Sequence, residues 1–153
     1  MIQWIISDCD GVLTDGRLYY DQEGEVLKVF NVKDGTAIKA IKALGIKFGV
    51  ISGRSSKALQ KRSDELGFDF CYMGVVNKAA VISELRREHQ IPKNEILFVG
   101  DDVNDCSARE ECGLLFAVND ATEELKEIAD ITLRTKGGLG VFQEVLKKIH
   151  EHQ

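Results

Sequence analysis

The stretch Ile2-Gln3-Trp4-Ile5-Ile6-Ser7-Asp8-Cys9-Asp10-Gly11-Val12-Leu13-Thr14-Asp15 decides how this chain is read. Its apolar run up to Ser7 predicts a β-strand, and Asp8 and Asp10 stand where that strand ends. Side chains two residues apart along a strand project to the same side, so these carboxylates concentrate negative charge. A divalent cation, a raised pKa on one of them, or both must compensate. Gly11 lets the chain turn sharply and brings bare backbone close to whatever binds there. Two carboxylates in one site, one ionised and one able to hold a proton, suit the separate nucleophile and acid roles of phosphoryl or glycosyl transfer.

Outward from that stretch, strands alternate with helices. Leu18-Tyr19-Tyr20 and Val26-Leu27-Lys28-Val29-Phe30 flank a polar turn and predict a β-hairpin. Asp34 is the expected cap of a helix running to Leu44 and stopped by Gly45, and a buried strand follows over 47–51. Ser55 or Ser56 opens a helix ended by Gly67, a short strand covers 70–72, and a helix runs over 78–88 before Pro92. Ile96-Leu97-Phe98-Val99 reads as a central parallel strand covered on both faces. Beyond it come a helix over 107–111, a strand over 114–118 and helices over 123–128 and 141–150.

This order predicts an α/β, Rossmann-like parallel sheet with helices on both faces and an inserted β-hairpin, its site at the carboxyl ends of the strands. The polar strings fall there. Asp8 and Asp10 follow the first strand, Ser52-Gly53-Arg54 follows Ile51, and Gly100-Asp101-Asp102-Val103-Asn104-Asp105 follows Val99, while Lys78 begins a helix.

Length and charge bound the setting. The 153 residues fit one domain, residues 1–153. A net charge of −5 argues against a nucleic-acid surface, which needs clustered Lys and Arg. Cys9, Cys71, Cys106 and Cys112 lack metal-type spacing, and no basic-then-apolar leader precedes them. A cytoplasmic chain with free thiols and no membrane span is expected, with His89, His150 and His152 on the surface.

Asp8, Asp10, Asp101, Asp102 and Asp105 form an oxygen-rich set that includes no His or Cys, which favours a hard cation, Mg²⁺ before Zn²⁺. Ser52 and Gly53 offer a hydroxyl and an N–H to a phosphate oxygen. Lys78 adds positive charge at a helix N-terminus. Each piece has an ordinary reading as well: the DxD string as an EF-hand fragment, Lys78 as a solvated helix residue, Ser52 as a cap. Their shared placement at strand ends favours the functional one.

These motifs resemble the haloacid dehalogenase superfamily of phosphatases: DxDGxxTD at 8–15, then Ser52, Lys78, and GDDxxD at 100–105. The resemblance implies Asp8 as a nucleophile forming an aspartyl-phosphate. It makes Asp10 the acid to the leaving oxygen and then the base to water. It places Mg²⁺ on the Asp8 carboxylate, the Asp10 backbone carbonyl and Asp101, with Asp102 and Asp105 orienting metal waters or Lys78. The gaps between motifs leave no room for a separate cap domain. Phe30-Asn31-Val32-Lys33-Asp34-Gly35, Ser52-Gly53-Arg54, Gly74 with Asn77-Lys78, and Lys136-Gly137-Gly138-Leu139-Gly140 resemble the capless branch typified by the 3-deoxy-D-manno-octulosonate 8-phosphate phosphatases.

That likeness implies a phosphorylated sugar acid as substrate. It also implies a homotetramer in which hairpins pair and a neighbour closes each site. Gly53, Arg54, Arg62 and Lys33 are the expected substrate contacts. Arg54 favours an eight-carbon acid over a nine-carbon ketodeoxy or sialic acid 9-phosphate. A phospho-receiver domain is disfavoured because its phosphorylated Asp follows a middle strand, which here ends in Ile51-Ser52-Gly53. A non-catalytic scaffold is disfavoured because every motif residue is intact.

Overall fold

The computed structural model describes residues 1–152. Its strands are β1 (Trp4–Ser7), β2 (Tyr19–Asp21), β3 (Gly24–Leu27), β4 (Lys47–Ile51), β5 (Phe70–Tyr72), β6 (Ile96–Gly100), β7 (Leu114–Ala117) and β8 (Ile131–Thr132). The α-helices are α1 (Val32–Ala43), α2 (Lys57–Leu66), α3 (Lys78–His89), α4 (Glu123–Ile128) and α5 (Val141–His152). Six strands make one parallel sheet in the order β5-β4-β1-β6-β7-β8, and β2 pairs with β3 in a separate antiparallel hairpin. On one side α1 packs against α2 and α5. On the other, α3 and α4 both pack on a 3-10 helix over Val103–Glu111. The α/β three-layer architecture is as expected, and no cap domain is inserted.

The core follows from the strand sequences. Ile5 and Ile6 of β1, Phe48, Val50 and Ile51 of β4, and Leu97, Phe98 and Val99 of β6 are all buried, as central parallel strands between two helical layers must be. β1 pairs with β4 on one side and β6 on the other, and the chain leaves β1 and β6 in opposite lateral directions. A crevice therefore opens beyond their carboxyl ends.

Caps set the helix boundaries. Ser56 accepts from Leu59 N–H to begin α2, Asn77 accepts from Ala80 N–H to begin α3, and Gly67 closes α2 in the left-handed region. Four boundaries differ from expectation. Asn31, not Asp34, caps α1, because its side chain accepts from Lys33 N–H with its own backbone extended. The hairpin strands lie nearer the turn than the apolar runs, β2 taking in Asp21 and β3 running from Gly24 only to Leu27, with Asp21 accepting from Glu23 N–H in the turn and the register shifting between Tyr19 and Tyr20. The helix expected over 107–111 is a 3-10 helix that starts at Val103, where Asp102 and Asp105 form a capping box. β8 has two residues, too few to leave a sequence pattern.

Asp34 instead lies buried inside the first turn of α1 and accepts from Phe142 N–H at 2.9 Å, tying α1 to the start of α5. Its other oxygen, Oδ2, has no partner. Burial pushes its pKa up from 3.8 to about 6, partly offset by the Phe142 N–H and by Arg62 of α2. A carboxyl with a raised native pKa contributes stability at low pH that is lost as pH rises through about 6. Asp34→Asn keeps an acceptor for Phe142 and cannot ionise. The variant should match wild type near pH 4 and exceed it by up to about 3 kcal/mol at pH 8, read by urea unfolding across that range. A constant difference between pH 4 and pH 8 would show that the buried charge is not what costs stability.

Candidate active site

Asp8 follows the last residue of β1, and its N–H donates to Val99 O at 3.0 Å, which locks the first motif to β6. Gly11 adopts φ +87, and a Cβ there would fall onto the Asp101 carboxylate, so the two acidic motifs can approach only across a glycine. Thr14 Oγ1 accepts from Gly11 N–H and Gly16 N–H, closing the loop on itself. Gly137 packs from behind so closely that a Cβ would meet Gly11 O, and Gly138 N–H donates to Val12 O.

Behind this loop sits a buried charge cluster. The Asp8 carboxylate accepts from Cys9 N–H at 2.7 Å and lies 3.1 Å from Lys78 Nζ. Lys78 also donates to Asp105 Oδ1 at 2.6 Å, while Asp105 Oδ2 accepts from the N–H groups of Asp101 and Asp102. Asp8, Asp101 and Asp105 each bring a carboxylate oxygen within 4.8 Å of the others. Burial, then the Asp105 charge, drives the Asp8 pKa well above the usual carboxylate range, although Lys78 opposes the rise. Burial likewise lifts Asp101 to about 7, with Asp105 and Asp102 adding to it and a hydrogen bond to Asp8 opposing it. Burial alone would lower the Lys78 pKa, but Asp8 and Asp105 outweigh it and raise it.

One ammonium cannot balance three carboxylates out of water. The cluster fits a hard divalent cation, with Asp8 and Asp101 its natural ligands, because Asp105 already has both oxygens engaged.

Above the cluster is a cavity of about 230 Å³ lined by Asp8, Asp10, Gly16, Leu18, Gly53, Arg54, Asp101, Asp102 and Asn104. Ser52 is buried beside the lining residue Gly53, its N–H donates to Tyr72 O at 2.8 Å, and its Oγ accepts from Arg54 N–H. A cavity of similar size, about 240 Å³, lies at the amino ends of the strands among Ile2, Leu97, Leu114 and Phe116, and among the described residues no carboxylate lines it. The acidic cavity is the one equipped for chemistry.

Nine of the eleven expected residues thus meet in one place: Asp8, Asp10, Ser52, Gly53, Arg54, Lys78, Asp101, Asp102 and Asp105. Arg62 and Lys33 lie outside the cavity of their own chain. The Arg62 guanidinium donates to Asn31 O, pairs with Glu65 at 3.3 Å and lies 5.7 Å from the Phe30 ring centroid, which holds it on α1. Lys33 is exposed on α1 beside Gly140.

The hairpin brings residues that the motif reading missed. Lys28 Nζ lies 2.7 Å from Asp10 Oδ1 and 3.1 Å from Glu25 Oε1, and Tyr20 Oη accepts from Arg54 at 2.8 Å. Burial would lower the Lys28 pKa, but the bond to Asp10 leads the interactions that raise it. The one available signal was a lysine inside the otherwise apolar run Val26-Leu27-Lys28-Val29-Phe30.

This fold and this cluster of carboxylates define a hydrolase class, and comparison with known proteins bears that out. Residues 72–145 match the haloacid dehalogenase-like hydrolases. Over 152 residues the chain is 38% identical to the 3-deoxy-D-manno-octulosonate 8-phosphate phosphatase of Haemophilus influenzae, covering 99% of this chain and 84% of that one. Its cobalt-bound structure superposes with a TM-score of 0.95, covering 99% of this chain and 89% of that one. The phosphatase of Moraxella catarrhalis, solved with magnesium, phosphate and the sugar acid KDO, superposes at 0.94 with 32% identity, covering 99% and 87%. The chain therefore belongs to the haloacid dehalogenase-like hydrolases, in the branch of the 3-deoxy-D-manno-octulosonate 8-phosphate phosphatases.

Proposed function

We propose that this chain is a Mg²⁺-dependent phosphatase that hydrolyses 3-deoxy-D-manno-octulosonate 8-phosphate to the free acid and inorganic phosphate. The observation that carries the reading is the set of buried Asp8, Asp105 and Lys78 with half-buried Asp101 under an open polar cavity, in a chain related end to end to enzymes of that name. We assign residues 1–153 to one phosphatase domain without a cap.

Asp8 is the nucleophile in this reading. An oxygen of its carboxylate bonds to phosphorus while the ester P–O bond breaks, and Asp10 gives a proton to the departing sugar oxygen. Asp10, now a carboxylate, takes a proton from water. That water attacks phosphorus, the bond to Asp8 breaks, and inorganic phosphate leaves. Lys78 holds Asp8 in place and offsets its charge against the incoming dianion, with Ser52 and the Gly53 N–H taking phosphate oxygens. Mg²⁺ held by Asp8, Asp101 and the Asp10 carbonyl supplies charge neutralisation between nucleophile and phosphate. Asp102 and Asp105 orient that centre, Asp105 through Lys78 and two backbone N–H groups.

Arg54 at the cavity wall is the expected contact for the sugar acid carboxylate. Arg62 and Lys33, outside their own cavity, fit a role only toward a neighbouring subunit. Leu18, Tyr20, Val26, Leu27 and Val29 are exposed on and beside the hairpin, which supports assembly through it into a homotetramer. All four cysteines are free, which supports a reducing, cytoplasmic setting. No helix among the described residues is long and apolar enough to cross a membrane.

The test is phosphate release from a panel of phosphorylated sugars and sugar acids, with Mg²⁺ and with chelator, on a preparation sized by light scattering. The eight-carbon keto acid phosphate should be turned over fastest, only with the metal, by a tetramer. Preference for a nine-carbon ketodeoxy or N-acylneuraminate 9-phosphate would reassign the substrate, and a monomer at micromolar concentration would remove the assembly.

A further inference from the structure

Lysine is almost never buried unless paired. Lys28 follows β3, whose last residues Val26 and Leu27 are exposed, yet its own side chain is only 3% exposed. It turns inward beside Glu25 and ends on Asp10 Oδ1 at 2.7 Å. Among the described residues none bonds Asp10 Oδ2, and Asp10 lines the cavity. Glu25 in turn lies 3.7 Å from Arg54, and Arg54 donates to Tyr20 Oη. A continuous polar chain thus runs from the hairpin to Asp10 on one side of the cavity and Arg54 on the other.

We infer that Lys28 is a positioning residue for the reaction: by engaging Asp10 Oδ1 it fixes the carboxyl plane and leaves Oδ2 facing the leaving oxygen. Lys28 touches neither substrate nor phosphorus, and it acts through Asp10. The inference rests on the phosphatase reading and on Asp10 as the proton donor. Fixing a proton donor within a fraction of an ångström is where catalytic groups gain most from their supports. The hairpin is then part of the catalytic apparatus and more than an assembly device. A lysine that merely glued the hairpin down would affect every substrate alike.

The ratio kcat/KM includes only the steps up to departure of the leaving group, so it isolates the donor role from the later role toward water. The alkoxide of an alkyl phosphate needs the proton to leave, whereas 4-nitrophenyl phosphate releases 4-nitrophenolate without it. Lys28→Met should lower kcat/KM about 10- to 100-fold on an alkyl sugar phosphate and no more than about threefold on the nitrophenyl ester, within the range of general acid effects. Lys28→Arg should restore most of the loss. In an Asp10→Asn background, Lys28→Met should have almost no further effect on the alkyl ester.

Equal losses on both esters, a full additional loss in the Asp10→Asn background, or no loss at all would each overturn the inference. A drop that follows a lowered unfolding temperature and spares neither ester would assign Lys28 to hairpin anchoring alone. Wild-type protein inactive on both esters would sink the phosphatase reading and this inference with it, whereas an active wild type with an indifferent Lys28→Met sinks the inference only.

Discussion

Asp8→Asn should abolish phosphate release while making the metal-free protein more stable. The amide is nearly isosteric and can still accept from Cys9 N–H, so the loop 8–15 keeps its anchor. It cannot bond to phosphorus as an anionic nucleophile, and it is a poorer metal ligand. Turnover should fall by at least about 10⁴-fold, as removal of a nucleophile does in other covalent mechanisms. Stability should move the other way, because Asp8 is buried against Asp105 and Asp101.

Both Asp8 and Asp101 have native pKa values raised above the usual carboxylate range, Asp101 to about 7. Such groups contribute stability at low pH that is lost as pH rises through the native value. The advantage of Asp8→Asn in chelator should therefore be small near pH 5 and grow through pH 8, followed by thermal unfolding. Mg²⁺ should stabilise wild type more at pH 8 than at pH 6, where protons compete for the same oxygens. Turnover near wild type in Asp8→Asn would remove Asp8 from the nucleophile's place. A variant less stable in chelator at every pH would show that the cluster is not strained by its own charge.

The parts of this site that local chemistry controls could be read from sequence. Asp8, Ser52 and Asp101 each follow a largely buried strand, and the strands are recognisable because, Ser7 and Lys47 apart, their residues are apolar. Placing those strands side by side then follows from the alternation of strand and helix. Lys78 was legible for a similar reason, since Asn77 marks a helix start.

Lys28 was not, because its meaning depends on how the hairpin folds back over residue 10, a tertiary fact absent from Val26-Leu27-Lys28-Val29-Phe30. Asp34 misled for the opposite reason. Its residue type suits a helix cap, yet Asn31 took that role and left Asp34 to reach Phe142 across the layer. Arg62, expected to face a neighbouring copy's substrate, is engaged within the chain by Asn31 O, Glu65 and the Phe30 ring.

Lys78→Met should cost both stability and turnover, and a second substitution should separate the two. Lys78 Nζ lies between Asp105 at 2.6 Å and Asp8 at 3.1 Å, with a side chain that is 1% exposed. Methionine fills the volume but leaves Asp105 Oδ1 without its ammonium, fully buried. Breaking a buried pair from one side typically costs about 3–5 kcal/mol, most of it from the charge left unpaired. The unfolding free energy should fall by about that much, and kcat/KM by about 10²- to 10³-fold, as when a fixed electrostatic contact to the transition state is removed.

Adding Asp105→Asn removes the orphaned charge while an amide oxygen can still accept from the Asp101 and Asp102 N–H groups. The double variant should regain most of the lost stability and none of the lost turnover, since the missing cation faces Asp8 and the incoming phosphate as before. Recovery of both together would mean that Lys78 serves only to keep the cluster folded. Loss of neither in Lys78→Met would mean that the ammonium, though buried between two carboxylates, has no part in holding them.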